Sequence, residues 1–294
     1  MTAAAAAVPR VRVRGLTRRK GVSVVMIALT CIAAALAVVP LIGILGYLLK
    51  QGASSVSLGF FLHMPKPVGE EGGGMANAIL GTLMLIALAS AIGLPVGIGA
   101  GLYVAEHRGT RIANSVRFLA DVLNGLPSIV MGIFAWQFLV RPFGRFSALA
   151  GGAALGAMMI PLVSRTTEEM VRTVPQSLRE AALALGYPKW RTSLQIVLRT
   201  ALGGIVTGVL VAVARVAGET APLLFTAFGN QFFSTNLRQP IAALPLQIFT
   251  YAISPYDDWH AQAWAGALVL LGLVLIISVI ARFVTRSRHG GGHD

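Results

Sequence analysis

Charged residues are scarce in this sequence and make up only 12% of its 294 positions. A soluble domain carries about 25% Asp, Glu, Lys and Arg, so the deficit indicates that lipid surrounds much of the chain. Five apolar stretches reach the roughly 18 residues that a membrane helix requires, and a sixth nearly does. The scarcity of charge therefore predicts an all-α membrane protein with six transmembrane helices.

Acidic residues are scarcer still, since 11 Asp and Glu stand against 24 Lys and Arg, for a net charge of +13. In a soluble protein that excess would suggest nucleic-acid binding, but here the basic residues flank apolar spans, and we expect no nucleic-acid partner. With the N-terminus placed in the cytosol, 18 basic residues fall on the cytosolic side and 5 outside. Cytosolic loops carry the excess of Lys and Arg in membrane proteins, so both termini are predicted to be cytosolic.

Cysteine is represented by Cys31 alone. A single cysteine excludes a disulfide within the chain and a zinc site built from cysteines. The 5 histidines lie in loops or near the ends, so no buried Ser–His pair is available for an intramembrane hydrolase. Two of them, His289 and His293, flank a glycine run in the tail, where we favour a flexible end over a weak metal site.

Six spans are predicted, at residues 22–49, 76–104, 116–140, 147–164, 196–217 and 261–284. The first run is long for a signal peptide and lacks an Ala-x-Ala site at its end, so we expect a retained helix. The resulting parts are a cytosolic basic arm (1–20), a first transmembrane helix (21–50), a helical core (75–284) with a polar loop at 164–199, and a cytosolic tail (285–294).

Glycine recurs every four residues in the second predicted span, at Gly93, Gly97 and Gly101. Residues at this spacing share one helix face, and faces of small residues allow helix backbones to approach closely in lipid. We therefore predict a tightly packed helix pair here, with a kink at Pro95.

The polar loop 164–199 is too patterned for a simple linker. Pro175 suits a helix start because its missing N–H is not needed in the first turn, and Gly186 followed by Pro188 predicts a sharp end. Four apolar residues recur between them at helical spacing: Leu178, Ala181, Ala182 and Leu185. The apolar face of this short helix could dock on a cytosolic partner or lie on the lipid surface, and physical chemistry alone does not separate the two.

An ion pair is predicted inside the fifth span, where Glu219 follows Arg215 by four residues. A buried arginine costs about 2.5–3.5 kcal/mol on insertion into a membrane, so it needs a protected face. At about 100° per residue, both side chains fall on the side of the small residues Gly204, Gly208 and Ala212, facing other helices or a pore. The pair either holds the bundle together or handles an anion, for which a guanidinium is suited, and ionisable groups inside a membrane favour the second role.

The polar loop resembles the EAA loop of binding-protein-dependent ABC importers, in which Glu-Ala-Ala is followed at fixed spacing by Gly and by Ile-x-Leu-Pro. The matching positions are Glu180, Ala181, Ala182, Gly186, Ile196 and Leu198, while Arg199 replaces the final proline. The resemblance implies that this segment is a coupling helix, which docks on an ATPase subunit. No G-x-x-x-x-G-K-[ST] phosphate loop occurs in the chain, so we expect the ATPase to be a separate polypeptide.

Longer blocks are similar to the PstA-type phosphate permeases within that family. They are MANAILGTLML (75–85), NGLPSIVMGIF (124–134), SRTTEEM (164–170), VPQSLREAALALG (174–186) and ARVAGETAPLLFTA (214–227). The resemblance implies that Arg215 and Arg165 take part in phosphate translocation, although Arg165 at a cytosolic helix end equally suits a positive-inside anchor. Asn124, Ser128 and Thr220 are neutral donors near Gly or Pro, and each serves either helix packing or anion binding at a broken helix.

The resemblance further implies the architecture, the partners and the location of the chain. The fold would be an importer core of five helices preceded by one extra helix, in the bacterial inner membrane. Its partners would be a homologous permease subunit, two ATPase subunits, an extracytoplasmic phosphate-binding protein, phosphate and membrane lipid. ATP and magnesium would be bound by the ATPase, so no cofactor, metal or catalytic residue is expected in this chain. The alternative is a permease for another oxyanion, such as sulfate or phosphonate, against which the phosphate-type blocks argue.

Overall fold

The computed structural model describes residues 16–67, 70 and 72–287, most of which are helical. The chain divides into two compact units, residues 1–50 and 51–294. The α-helices are α1 (Leu16–Ser55), α2 (Leu58–Leu62), α3 (Ala76–Glu106), α4 (Arg111–Gly125), α5 (Ser128–Ala135), α6 (Ala148–Thr173), α7 (Gln176–Ala184), α8 (Lys189–Arg191), α9 (Leu198–Ala217), α10 (Ala221–Thr226), α11 (Leu244–Ala252) and α12 (Asp257–Ser287). Short π-helical stretches continue α5 (Trp136–Val140) and lead into α9 (Thr192–Val197).

Within the described ranges, five helices are long and apolar enough to cross a membrane, and a bent pair brings the number to six if its halves form one span. The five are Arg19–Ser55, Ala76–Glu106, Ala148–Thr173, Lys189–Ala217 and Asp257–Phe283, and the pair is Arg111–Gly125 with Ser128–Val140. The all-α membrane fold is thus confirmed. Helix α1 begins at Leu16, inside the predicted basic arm; the rest of that arm and most of the predicted tail lie outside the described residues.

The third predicted span, 116–140, is not one continuous helix. Helix α4 ends at Gly125, α5 begins at Ser128, and the two are bent by 107°. The cause is Pro127, which lacks an N–H and disfavours the helical conformation in the residue before it. Leu126 accordingly has an extended backbone, with φ −74° and ψ 136°. The predicted third span is therefore a bent pair of helices, which is either a broken span or a re-entrant loop.

Helices α3 and α6 form the core of the second unit and pack through glycine, as predicted. Gly93, Gly97 and Gly101 are all buried. A Cβ atom on Gly93 would lie 2.8 Å from Cβ of Met159, and one on Gly97 would lie 2.8 Å from Cβ of Val163. These distances are shorter than real Cβ contacts show, so no side chain fits between α3 and α6 at these two glycines. Helix α3 continues through Pro95, and the kink expected there stays a prediction.

Helix α1 presents its apolar side chains outward on every side. None of the residues in its most apolar window is buried, and Cys31 is exposed as well. A helix that is apolar all round suits a lipid environment. This agrees with the predicted first transmembrane helix.

The connection from α10 to α11 folds back onto the start of α3. The backbone N–H of Leu244 donates to Oγ1 of Thr82 at 2.8 Å, and the side-chain amide of Asn77 donates to the Asn230 carbonyl at 2.9 Å. These bonds fix the chain that follows α9, and with it the position of the α9 C-terminus against α3.

Candidate functional site

Arg215 lies in the last turn of α9, which ends at Ala217. Its Nε atom is 3.8 Å from Oε1 of Glu219, so the predicted ion pair is present. The contact is loose, and 48% of the Arg215 side chain is exposed in this subunit against 16% for Glu219. The dipole of a helix stabilises a cation in its last turn. Arg215 is therefore held in place while most of its N–H groups remain uncommitted within the described residues.

The small-residue face of α9 packs against α6, as the sequence predicted. Gly208 approaches Thr166 so closely that a Cβ atom at Gly208 would overlap the threonine side chain. Arg165 precedes Thr166 on α6, and Arg215 lies seven residues beyond Gly208, which is roughly 10 Å along α9 at 1.5 Å per residue. Arg165 and Arg215 thus lie at two depths along one pair of packed helices.

Arg165 lies towards the C-terminal end of α6 and contacts carboxylates on its own helix. Its Nε donates to Oε1 of Glu169 at 3.1 Å, and its Nη1 lies 3.8 Å from Oε2 of Glu168. The Arg165 side chain is 40% exposed. This geometry suits both an anchor and an anion ligand, so both interpretations of Arg165 stay open.

Glu168 is the centre of a charge cluster that the sequence analysis did not identify. Its side chain is only 3% exposed, yet it contacts Arg117 of α4 at 2.6 Å and Arg172 of α6 at 2.7 Å. Arg165 is the third cation around it. A buried carboxylate needs such partners, because an unpaired charge away from water is costly. These four residues, named here the Glu168 cluster, tie α4 to α6.

Part of this cluster could have been found in the sequence. Arg165, Glu168 and Arg172 follow one another at spacings of three and four, which places them on one helix face. The predicted polar loop hid the pattern, because its first ten residues belong to α6, which runs to Thr173. Arg117 is 51 residues from Glu168, and nothing in the local pattern assigns it there.

Asn124 and Ser128 flank the break between α4 and α5, and Thr220 directly precedes α10. Helix α5 packs on α10, where a Cβ atom on Gly132 would lie 2.8 Å from Cα of Pro222. The side chains of Asn124, Ser128 and Thr220 form no hydrogen bond within the part of the chain that is described. Polar groups without an internal partner thus lie at helix ends, and their roles stay predictions.

The residues of the EAA pattern, Glu180, Ala181, Ala182 and Gly186, lie in and just after α7. Helix α7 begins directly after Pro175, as predicted. Gly186 has φ +81°, a left-handed backbone that glycine adopts without strain. The predicted helix, its start and its glycine stop are therefore confirmed, whereas its docking on an ATPase stays a prediction.

Most of the surface of α7 is exposed. Ala182 is buried, whereas Leu178 and Leu185 are 41% and 79% exposed. On its other side α7 is anchored, because Arg179 forms an ion pair with Glu106 at the end of α3 and donates to the Val171 carbonyl at 3.1 Å. One face of α7 is thus anchored to α3 and α6 through Arg179, while leucines on another face are exposed.

No group of three His, Cys, Asp or Glu side chains that could hold a metal ion occurs among the residues that the structure describes. His289 and His293 lie outside those residues. Where ATP and magnesium bind stays a prediction.

Residues 93–289 match the family described as binding-protein-dependent transport system inner membrane components. The chain is 48% identical to the phosphate transport system permease protein PstA of Yersinia pestis, over 83% of each chain. It is 46% identical to the protein of the same description from Xylella fastidiosa (strain Temecula1), over 90% of this chain and 93% of the relative.

A solved structure of a bacterial alginate ABC transporter, in complex with an alginate pentasaccharide-bound periplasmic protein, contains a chain of similar fold. The TM-score is 0.66 at 13% identity, and the match covers 95% of this chain and 100% of that chain. At this identity the likeness concerns the fold alone. The fold is that of a chain in an ABC transporter.

Proposed function

The chain belongs to the binding-protein-dependent transport system inner membrane components, and we propose that it is a permease subunit through which an ATP-driven importer carries inorganic phosphate. It is a multi-pass membrane protein whose relatives are transport permeases, and we expect it to be a transport subunit rather than an enzyme. The observation that carries the proposal is the 48% identity with a phosphate transport permease along 83% of both chains.

Arg215 supports an anion as the cargo. A guanidinium offers paired N–H donors that match a phosphate group, and the 3.8 Å contact with Glu219 is longer than a hydrogen bond. An incoming phosphate can therefore take the place of Glu219 without breaking a hydrogen bond. While the path is empty, Glu219 offsets the charge of Arg215, which limits the cost of a cation in the membrane.

A path along α6 and α9 would use Arg165 as a second cation, roughly 10 Å from the level of Arg215. Between two such sites an anion can move without entering bare hydrocarbon. Asn124, Ser128 and Thr220 would contribute neutral donors, because their side chains have no partner in the described residues. These assignments depend on chemistry and placement and are tested by substitution.

The partners follow from the family. A homologous permease subunit would form the other half of the pathway, and an extracytoplasmic binding protein would deliver phosphate. Two cytosolic ATPase subunits would hold ATP and magnesium, since this chain lacks a phosphate-loop motif. The location would be a bacterial inner membrane with both termini in the cytosol, as the distribution of Lys and Arg predicts.

Helix α7 is the proposed contact with the ATPase. Its exposed leucines need an apolar cleft on a partner, and its anchor through Arg179 and Glu106 connects that contact to the end of α3. ATP binding would close the two ATPase subunits and move α7, so that access to the pathway alternates between the two sides.

The test is uptake of radiolabelled phosphate into vesicles that contain the transporter with its partner subunits, its binding protein and internal ATP. We expect uptake that needs ATP and is not reduced by an excess of sulfate or phosphonate. Uptake of labelled sulfate that phosphate does not reduce would contradict the proposal and favour the permease for another oxyanion.

A further inference from the structure

A cleft of about 690 Å³ opens behind α7, between that helix, the ends of α3 and α6, and the start of α8. Its charged and amide side chains are Glu106, Arg108, Arg172, Gln176, Arg179 and Lys189. Its volume falls within the roughly 300–1,000 Å³ of sites for small molecules. We call this concavity the α7 cleft.

The α7 cleft contains four cations and one carboxylate. The carboxylate, Glu106, is already bound by Arg179. Arg172 shares Glu168 with Arg117 and Arg165, of which Arg165 also contacts Glu169. The charge of Arg172 is therefore only partly offset, and positive charge exceeds negative in the cleft.

Arg108 and Lys189 supply the largest uncompensated charge. Neither forms an ion pair within the residues that the structure describes. Arg108 uses only its Nε, which donates to the Ala105 carbonyl at 3.2 Å, so its terminal N–H groups remain open. Lys189 keeps all three of its donors. Like charges gathered in one concavity repel each other, and a bound anion would remove that repulsion.

The hydroxyl groups that line the cleft already donate hydrogen bonds, so the cations are the groups available to an anion. Its hydroxyls donate to helix carbonyls: Thr173 to Met170, Thr192 to Pro188 and Ser193 to Lys189. The residues at the start of α7, Pro175 and Gln176, also line the cleft, and the positive end of a helix dipole favours an anion. The cations and the N-terminus of α7 thus both favour a bound anion.

We propose that the α7 cleft binds a phosphate-type oxyanion, carried either by inorganic phosphate or by a phospholipid headgroup. Arginine and lysine together suit this group, because the guanidinium binds two of its oxygens and the ammonium adds a point charge. The binding claim depends on the cleft alone. Only the identification of free phosphate with the cargo depends on the proposed function.

The first arm of the test measures binding of radiolabelled inorganic phosphate to the protein purified with the subunits that co-purify with it, without the binding protein, in phosphatidylcholine nanodiscs. All variants carry Arg215→Gln, so that any phosphate bound in the proposed transport path is reduced equally in each of them. Joint substitution Arg108→Gln and Lys189→Gln should weaken binding about tenfold or more, because each change removes a charged hydrogen bond. Failure of phosphate transport would leave this result unaffected.

The matched control is Arg191→Gln, which removes the same charge from the same short helix α8. Arg191 does not line the α7 cleft and instead lies over the ring of Trp190, 5.2 Å from its centroid. Phosphate binding should be unchanged in this variant. Lys189→Gln alone, which removes one exposed side chain, provides a second variant if the joint substitution impairs folding.

The second arm uses nanodiscs that contain phosphatidylglycerol. If a lipid headgroup occupies the cleft, phosphatidylglycerol will displace phosphate from it. The lipid will then stay bound during purification when Arg108 and Lys189 are present, but not after the joint substitution. The proposal is overturned if neither phosphate affinity nor lipid retention responds to the joint substitution, or if Arg191→Gln weakens both equally.

Discussion

Two groupings of Arg and Glu on the packed helices α6 and α9 differ in how tightly they are built. In the Glu168 cluster a carboxylate that is 3% exposed contacts three arginines, two of them at 2.6 and 2.7 Å. Arg215 and Glu219 share one contact of 3.8 Å, and 48% of the arginine is exposed. The cluster connects two helices, whereas the pair lies at the end of one.

The difference separates charges that hold the fold from charges that are available to a substrate. Removing one partner from a buried ion pair costs about 3–5 kcal/mol, while a half-exposed pair four residues apart contributes about 0.3–0.5 kcal/mol. Strong contacts therefore suit structure, and weak ones suit exchange with a passing anion. Arg165 contacts one carboxylate of each kind, the exposed Glu169 at 3.1 Å and the buried Glu168 at 3.8 Å.

Glu168→Gln should produce the largest loss of stability. The substitution leaves three arginines around a neutral amide, and we expect the free energy of unfolding to fall by about 3–5 kcal/mol. Titration with SDS in detergent micelles measures it. The control Glu169→Gln removes a carboxylate that is 53% exposed, and should cost less than about 1 kcal/mol. Equal losses of unfolding free energy in the two variants would contradict the structural role of the Glu168 cluster.

Gly208→Ala should have the next largest effect. The added Cβ would overlap Thr166, and overpacking of this kind costs about 1–3 kcal/mol. Because α9 must shift relative to α6, phosphate uptake should also fall although Arg165 and Arg215 remain. Gly203→Ala is the control, since nothing lies within 4 Å of a Cβ at that position. If both variants transport alike, the spacing of the two arginines does not matter.

Gly186→Val should affect coupling more than stability. Valine at φ +81° is strained by about 1–2 kcal/mol, and relief of that strain would reorient α7. Uptake should fall severalfold while ATP hydrolysis by the assembled transporter continues, with both rates measured in the same vesicles. Gly186→Asn should be milder, because asparagine tolerates this backbone. Persistent coupling in the valine variant would contradict the role of α7.

Arg215→Gln should have the smallest effect on stability and a large one on transport. We expect a change in unfolding free energy below about 0.5 kcal/mol and a loss of uptake of about tenfold or more, because a charged hydrogen bond to the anion is removed. Arg215→Lys keeps the positive charge but loses the paired N–H donors of the guanidinium, so its phosphate uptake should lie between that of the unaltered protein and that of Arg215→Gln. Unchanged uptake in the glutamine variant would mean that Arg215 and Glu219 have a structural role, as the Glu168 cluster does, and do not handle the substrate.

Local spacing explains which of these features could be predicted. Helix α7, its stop at Gly186 and the contact of Arg215 with Glu219 each depend on residues within a few positions of one another. The break at Pro127 also has a local signal, but the apolar run continues on both sides and masks it. The contact of Glu168 with Arg117 depends on how α4 folds back, which no local pattern contains.

The glycine packing of α3 against α6 also has a genetic consequence. Every amino-acid change reachable from a glycine codon by one nucleotide adds at least one carbon atom. At Gly93 and Gly97 that atom would collide with α6, so these positions have no conservative replacement. Random mutation should therefore damage this contact more often than the lipid-facing surface of α1, where one apolar residue can replace another.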